Sequence, residues 1–160
     1  MLFRILSLIT LFFIFTNYSY SAATSTGNTE SYYDKAAKLI KTAKKYESKG
    51  KDKKAKKRYE RALKFLVKSN KEKPNQADTL NYLGFATRKL GDYEKGEKYY
   101  LLGLEIDPNH KGINEYLGEL YVVTNRIDLA KQRLNVLKNC NCEEYNELKE
   151  IIEGKKQPKY

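Results

Sequence analysis

Few residues in this chain are equipped for chemistry. His110 is the single histidine, and Cys140 and Cys142 are the two cysteines, in 160 residues. A lone imidazole beside Pro108-Asn109 reads as a surface residue ahead of a helix. No Ser/His/Asp set can be assembled without committing it. The Cys140-x-Cys142 pair supports three readings. It can close a local disulfide in an oxidising compartment, a very small ring that would be strained and easily reduced. It can remain as free or intermolecular thiols. It can serve a metal or redox function, although a metal site would need two further ligands and none lies close in sequence. No Gly-rich phosphate loop is present. The carboxylates fall in solvated helical charge patterns, such as Glu94 with Lys98 four residues on. The sequence therefore predicts no enzyme activity, no metal and no cofactor.

Charge is a second source of function, and it is concentrated. The net charge is +11. Residues 35–73 hold 17 Lys/Arg against 4 Asp/Glu, whereas residues 74–160 hold 13 against 14. Lys53, Lys54, Lys56, Lys57 and Arg58 form the densest cluster. This is either a solvated helix face or a surface drawn to anionic headgroups, envelope polymer or an acidic protein. Nucleic acid would satisfy the charge but not the export argued next.

The elements that position these residues begin after a targeting segment. Arg4 precedes an apolar run over 5–15, too short for a span of about 20 residues. Small residues follow at Ser19, Ser21, Ala22 and Ala23. This is the form of a secretory signal over 1–21, cleaved after Ser21 or Ala23. The alternative is an uncleaved N-terminal anchor. Either places the remainder outside a bacterial cytoplasm, in the periplasm or beyond. Residues 22–33 are small and polar and read as a disordered linker. Mean hydropathy of −0.73 fits a water-exposed remainder.

Internal repetition sets the fold. Shifted by 34, residues 77–110 fall on 111–144: Leu83-Gly84 on Leu117-Gly118, Tyr93 on Ile127, Gly96 on Ala130 and Tyr100 on Leu134. Leu80, Leu83, Ala86 and Leu90 have helical spacing. Gly91-Asp92 ends one helix and caps the next, and Asp107-Pro108-Asn109 stops the second. Asn125 replaces the turn glycine in the weaker second unit. Shifted by 41, residues 34–76 form a basic, divergent hairpin whose second helix, about 52–72, is two turns longer and keeps its inner face. Residues 143–154 form a helix with Tyr145, Leu148, Ile151 and Ile152 on one side, suited to cover the last open apolar face. Gly154 and the Lys-Lys-Gln-Pro-Lys-Tyr tail are expected to fray.

The run from Leu80 to Asn109, with its LG, GDYEK and IDPN segments, resembles a tetratricopeptide repeat. Leu80, Leu83, Gly84, Gly91, Tyr93, Tyr100, Leu104 and Pro108 match. Leu80, Thr87, Gly96 and Gly103 depart from the residues commonest there. The resemblance is strong over 77–109 and extends from Ala36 to about Glu144. It implies an all-α, right-handed superhelix of about three hairpins with a C-terminal capping helix. Its concave face, formed by the first helix of each pair, would receive a peptide or a partner helix. Facing residues on that reading are Lys41 and Lys44, then Asn81, Phe85, Arg88 and Lys89, then Glu115 and Glu119, with Tyr82 and Tyr116 flanking. The set is not the Lys/Asn-rich arrangement that clamps a terminal carboxylate. Function then reads as a protein-interaction or assembly module of the periplasm or envelope. The alternatives are an envelope structural protein held by its basic helix, and a thiol-dependent redox accessory protein.

Overall fold

Helix boundaries follow the local chemistry of the turns. The computed structural model describes residues 30–158, so the expected signal over 1–21 and most of the expected linker over 22–33 lie outside the described residues. Seven α-helices and no strands occur among the described residues: α1 Tyr32–Glu47, α2 Asp52–Glu72, α3 Ala77–Lys89, α4 Tyr93–Ile106, α5 Lys111–Val123, α6 Ile127–Leu137 and α7 Glu143–Ile152. Ser31 caps α1, its Oγ accepting from the Asp34 N–H at 3.1 Å. Helix α1 thus begins inside the segment whose composition suggested a linker. Asp92 caps α4 in the same way, accepting from Lys95 N–H at 3.1 Å. Each leaves one fewer unpaired N–H at a helix start.

The hairpin turns reverse through left-handed backbone. Gly50 and Gly91 have φ of +63° and +97°, and Asn125 stands at φ 58° in the third hairpin. Asparagine tolerates this region better than other side chains. The long α2 ends before Pro74, and Asn75, also left-handed, turns the chain into α3.

Helices α1/α2, α3/α4 and α5/α6 pack as successive hairpins. Each second helix meets the next first helix, α2 against α3 and α4 against α5, and α7 closes the array on α5 and α6. The first helices also touch one another, α1 to α3 and α3 to α5. Ala36, Ile40 and Ala43 meet Ala55, Tyr59, Ala62 and Leu66 in the first pair, and the core continues through Leu83, Ala86, Tyr100, Ile113 and Leu117. Two glycines let neighbours approach. A Cβ on Gly84 would lie 2.5 Å from the Tyr100 ring, and one on Gly118 would lie 2.5 Å from Leu148 of α7.

Candidate functional site

The inner face of the solenoid is built by α1, α3 and α5, whose C-terminal halves lie side by side. The residues expected to face a groove do converge there, but most are interior. Phe85 and Arg88 are 1% exposed and Glu119 is 0% exposed. Asn81, Glu115 and Tyr116 are also buried. Tyr82 is half-buried and stacks on Tyr33 with ring centroids 5.5 Å apart. Lys41 is exposed. The expectation of an open floor is corrected for Phe85, Arg88 and Glu119: they are struts between repeats.

The physical reason lies in their partners. Arg88 Nη2 meets Glu119 Oε2 at 2.8 Å, and Nη1 donates to the Tyr116 carbonyl at 3.3 Å. The two charges neutralise one another inside the fold, which is how a buried charge is tolerated. Phe85 lies between Tyr59, edge-on at 5.8 Å, and Tyr116 at 4.8 Å. A sequence signal for this existed. Arg88 and Glu119 are 31 apart, one helical turn short of the 34-residue shift, so opposite charges face each other across adjacent repeats.

Two residues of α1 join this cluster: Lys44, which the sequence placed in the facing set, and Glu47, which it did not. Lys44 Nζ donates to Tyr116 Oη at 2.8 Å, reaching from the first hairpin to the third, and sits 4.5 Å from the Phe85 ring centre. This is a hydrogen bond with cation–π support. Glu47 pairs with Lys89 Nζ at 2.7 Å and accepts from Tyr59 Oη at 2.8 Å. Burial, and then that hydrogen bond to Glu47, push the Tyr59 phenol well above its ordinary range.

Two clefts open on this inner face. One, of about 370 Å³, lies at the C-terminal ends of α1 and α3 and is lined by Lys44, Glu47, Phe85, Lys89 and Pro158. The other, of about 560 Å³, lies at the N-terminal ends of α3 and α5 and includes Asp78, Asn81, Tyr82, Glu115, Tyr116 and Glu144. The first mixes both charges around an aromatic wall. The second is rich in acceptors. Together they make an elongated, charge-bearing surface suited to an extended polar segment.

The tail does not run on from α7 as a free end. Gly154 takes φ +72°, and the N–H groups of Lys155 and Lys156 both donate to the Glu150 carbonyl, at 2.9 and 3.2 Å. Lys156 pairs with Glu147, and Pro158 reaches the first cleft. The expectation of fraying is corrected for Lys155 to Pro158.

The other singled-out residues lie elsewhere. His110 caps α5: Nδ1 accepts from the Ile113 N–H at 3.1 Å, so Nε2 carries the proton that meets Asp78 Oδ1 at 3.1 Å. Cys140 and Cys142 form a disulfide at the turn between α6 and α7. Lys53, Lys54, Lys56 and Lys57 are exposed and Arg58 is half-buried on α2. Farther along α2, a cleft of about 810 Å³ is lined by Leu63, Phe65, Val67 and Leu90 with Arg61, Lys64 and Lys68 around it. Among the described residues no cluster of three His, Cys, Asp or Glu could hold a metal ion.

No protein-family model matches the sequence, and no curated protein matches it. Among solved structures, the first TPR domain of Spaghetti (RPAP3), bound to the HSP90 peptide SRMEEVD, aligns with a TM-score of 0.54 and 20% identity, over 79% of this chain and 97% of that one. The second TPR domain of the same protein, bound to the same peptide, aligns with a TM-score of 0.49 and 18% identity, over 66% of this chain and 92% of that one. The fold is a tetratricopeptide-type solenoid.

Proposed function

We propose that this protein is a non-enzymatic interaction module that takes an extended peptide or a partner helix along the inner face of its solenoid. The observation that carries the reading is the pair of charge-bearing clefts at the two ends of that face, one lined by Lys44, Glu47 and Asp52, the other by Asp78, Tyr82 and Glu144. Aromatic and cationic anchors in a concave, partly desolvated setting are the common make-up of binding hot spots. The RPAP3 domain of similar fold holds a peptide, which supports the same use here. The apolar run over 5–15 with its small-residue exit supports export, so the proposed place of work is the periplasm or cell envelope.

In-cell crosslinking followed by identification of the captured protein tests this. Lys44→Glu with Tyr82→Ala changes the cleft walls, and circular dichroism checks that the helices are retained. Loss of the captured protein is expected, and undiminished capture would overturn the reading. Fractionation tests export separately: retention of the unprocessed chain in the cytoplasm would end that part.

A second reading has its own observation. Lys53, Lys56 and Lys57 take part in no ion pair among the described residues. The apolar cleft farther along α2 is rimmed by Arg61, Lys64 and Lys68 against one acid, Glu60. Cations around exposed apolar groups suit an anionic envelope surface. Co-sedimentation with phosphatidylglycerol vesicles at low salt, abolished by high salt and by Lys→Glu at 53, 54, 56 and 57, is expected. Sedimentation indifferent to both would refute it.

A further inference from the structure

We infer that the inner groove is a docking site for the chain's own C-terminal tail, which a partner must displace. This rests on the groove reading above and deepens it by naming the first occupant. Three observations carry it. The tail is turned back at Gly154, whose φ of +72° directs the chain off the axis of α7. That turn is fixed by the bonds of Lys155 and Lys156 to the Glu150 carbonyl and by the Lys156 pair with Glu147. Pro158 then stands in the cleft with Lys44, Glu47, Phe85 and Lys89, residues of the first and second hairpins. The tail therefore leaves α7, packed at one end of the array, and reaches α1 at the other.

Charge fits the contact. Residues 154–158 hold Lys155 and Lys156 and no acid; Lys156 pairs with Glu147, and Glu47 and Asp52 line the cleft that Pro158 enters. Proline suits the position, because an extended residue without an N–H loses nothing by leaving helix geometry.

Tethering decides the strength of the effect. A segment joined by a few residues acts at an effective concentration of the order of millimolar. A self-contact with an intrinsic dissociation constant of about 0.1 mM then lowers the apparent affinity of a competing segment by roughly tenfold.

The test uses a labelled peptide of residues 154–160 as the probe and fluorescence anisotropy as the readout. The full chain is compared with a chain ending at Glu153 and with a full chain carrying Lys156→Glu and Pro158→Asp. Circular dichroism confirms that all three retain their helices. The shortened chain should bind the probe at least tenfold more tightly than the full chain, the double variant should also bind more tightly, and Lys44→Glu in the shortened chain should abolish binding. Equal affinities for full and shortened chains, or no binding to the shortened chain, would overturn the inference. The two readings fail separately. If the shortened chain ignores the probe while Lys44→Glu with Tyr82→Ala still loses the cellular partner, the groove stands and the tail does not. If the probe binds but capture is indifferent to those substitutions, the tail docks and the partner uses another face.

Discussion

Arg88 and Glu119 show what an inner-face charge does when repeats close upon it. Both side chains are fully buried. Arg88→Met alone should destabilise the fold by about 3–5 kcal/mol, because Glu119 would be left charged and unpaired. Adding Glu119→Leu should recover much of that loss. Chemical denaturation of the two variants checks this, and a double variant no better than the single would count against the pair. Gly118 is a steric counterpart. Its missing Cβ leaves room for Leu148, so Gly118→Ala should cost about 1–3 kcal/mol through overpacking. Titration adds a third expectation. Burial chiefly raises the phenol pKa values of Tyr33, Tyr59 and Tyr121 above the ordinary 10.0. A raised folded-state value in an acid means that the neutral form stabilises the fold. That stability is fully present below pH 10 and declines as pH rises from there toward the folded-state values. Phenolate absorbance in an alkaline titration should show these three ionising late, and together with unfolding, whereas Tyr59→Phe removes its share.

At the scale of elements, the sequence was most legible where local chemistry decides. Gly91-Asp92, Asp107-Pro108 and Asn125 are turn residues with physical reasons, and the helices stop where they stand. The lengthened α2 could be read because seven residues are two turns and leave the inner face in place. The groove was less legible. Spacing puts Phe85, Arg88 and Glu119 on the inward side of their helices, but it does not say how closely α1, α3 and α5 approach. That distance depends on small residues such as Gly84 and on interactions between repeats, and it turned expected contact residues into core. The Lys44–Tyr116 bond joins residues 72 apart, beyond any periodic signal. The disulfide belongs to this scale too. It spans a sequence separation of two, and closing so short a loop is worth on the order of 1.5 kcal/mol. Cys140→Ser with Cys142→Ser should therefore lower stability by about that much without unfolding α7. Loss of the α7 helix on reduction, seen by hydrogen exchange, would contradict this.

For the molecule as a whole, charge is laid out along the array. The first hairpin carries the whole of the positive excess, and the units behind it are close to neutral. Repulsion within the first hairpin opposes its folding at low ionic strength and is screened as the Debye length falls to about 10 Å near 0.1 M salt. Melting temperature should rise as salt increases from about 0.02 to 0.2 M. Hydrogen exchange should place the gain mainly in α1 and α2. A uniform gain would assign it to general salting rather than to this hairpin.

The bond from Lys44 to Tyr116 has a consequence for how the molecule carries load. An array in which each unit touches only its neighbours behaves as a spring, uncoiling a little at every joint when its ends are drawn apart. Here a side chain of the first unit is tied to the third, and the tail comes back from the last to the first. A pull on the two ends is resisted at once by these cross-ties, so the coil is stiff until they part and compliant afterwards. The contacts that brace the coil are therefore also contacts that line the first cleft, Lys44 from one end of the array and Pro158 from the other.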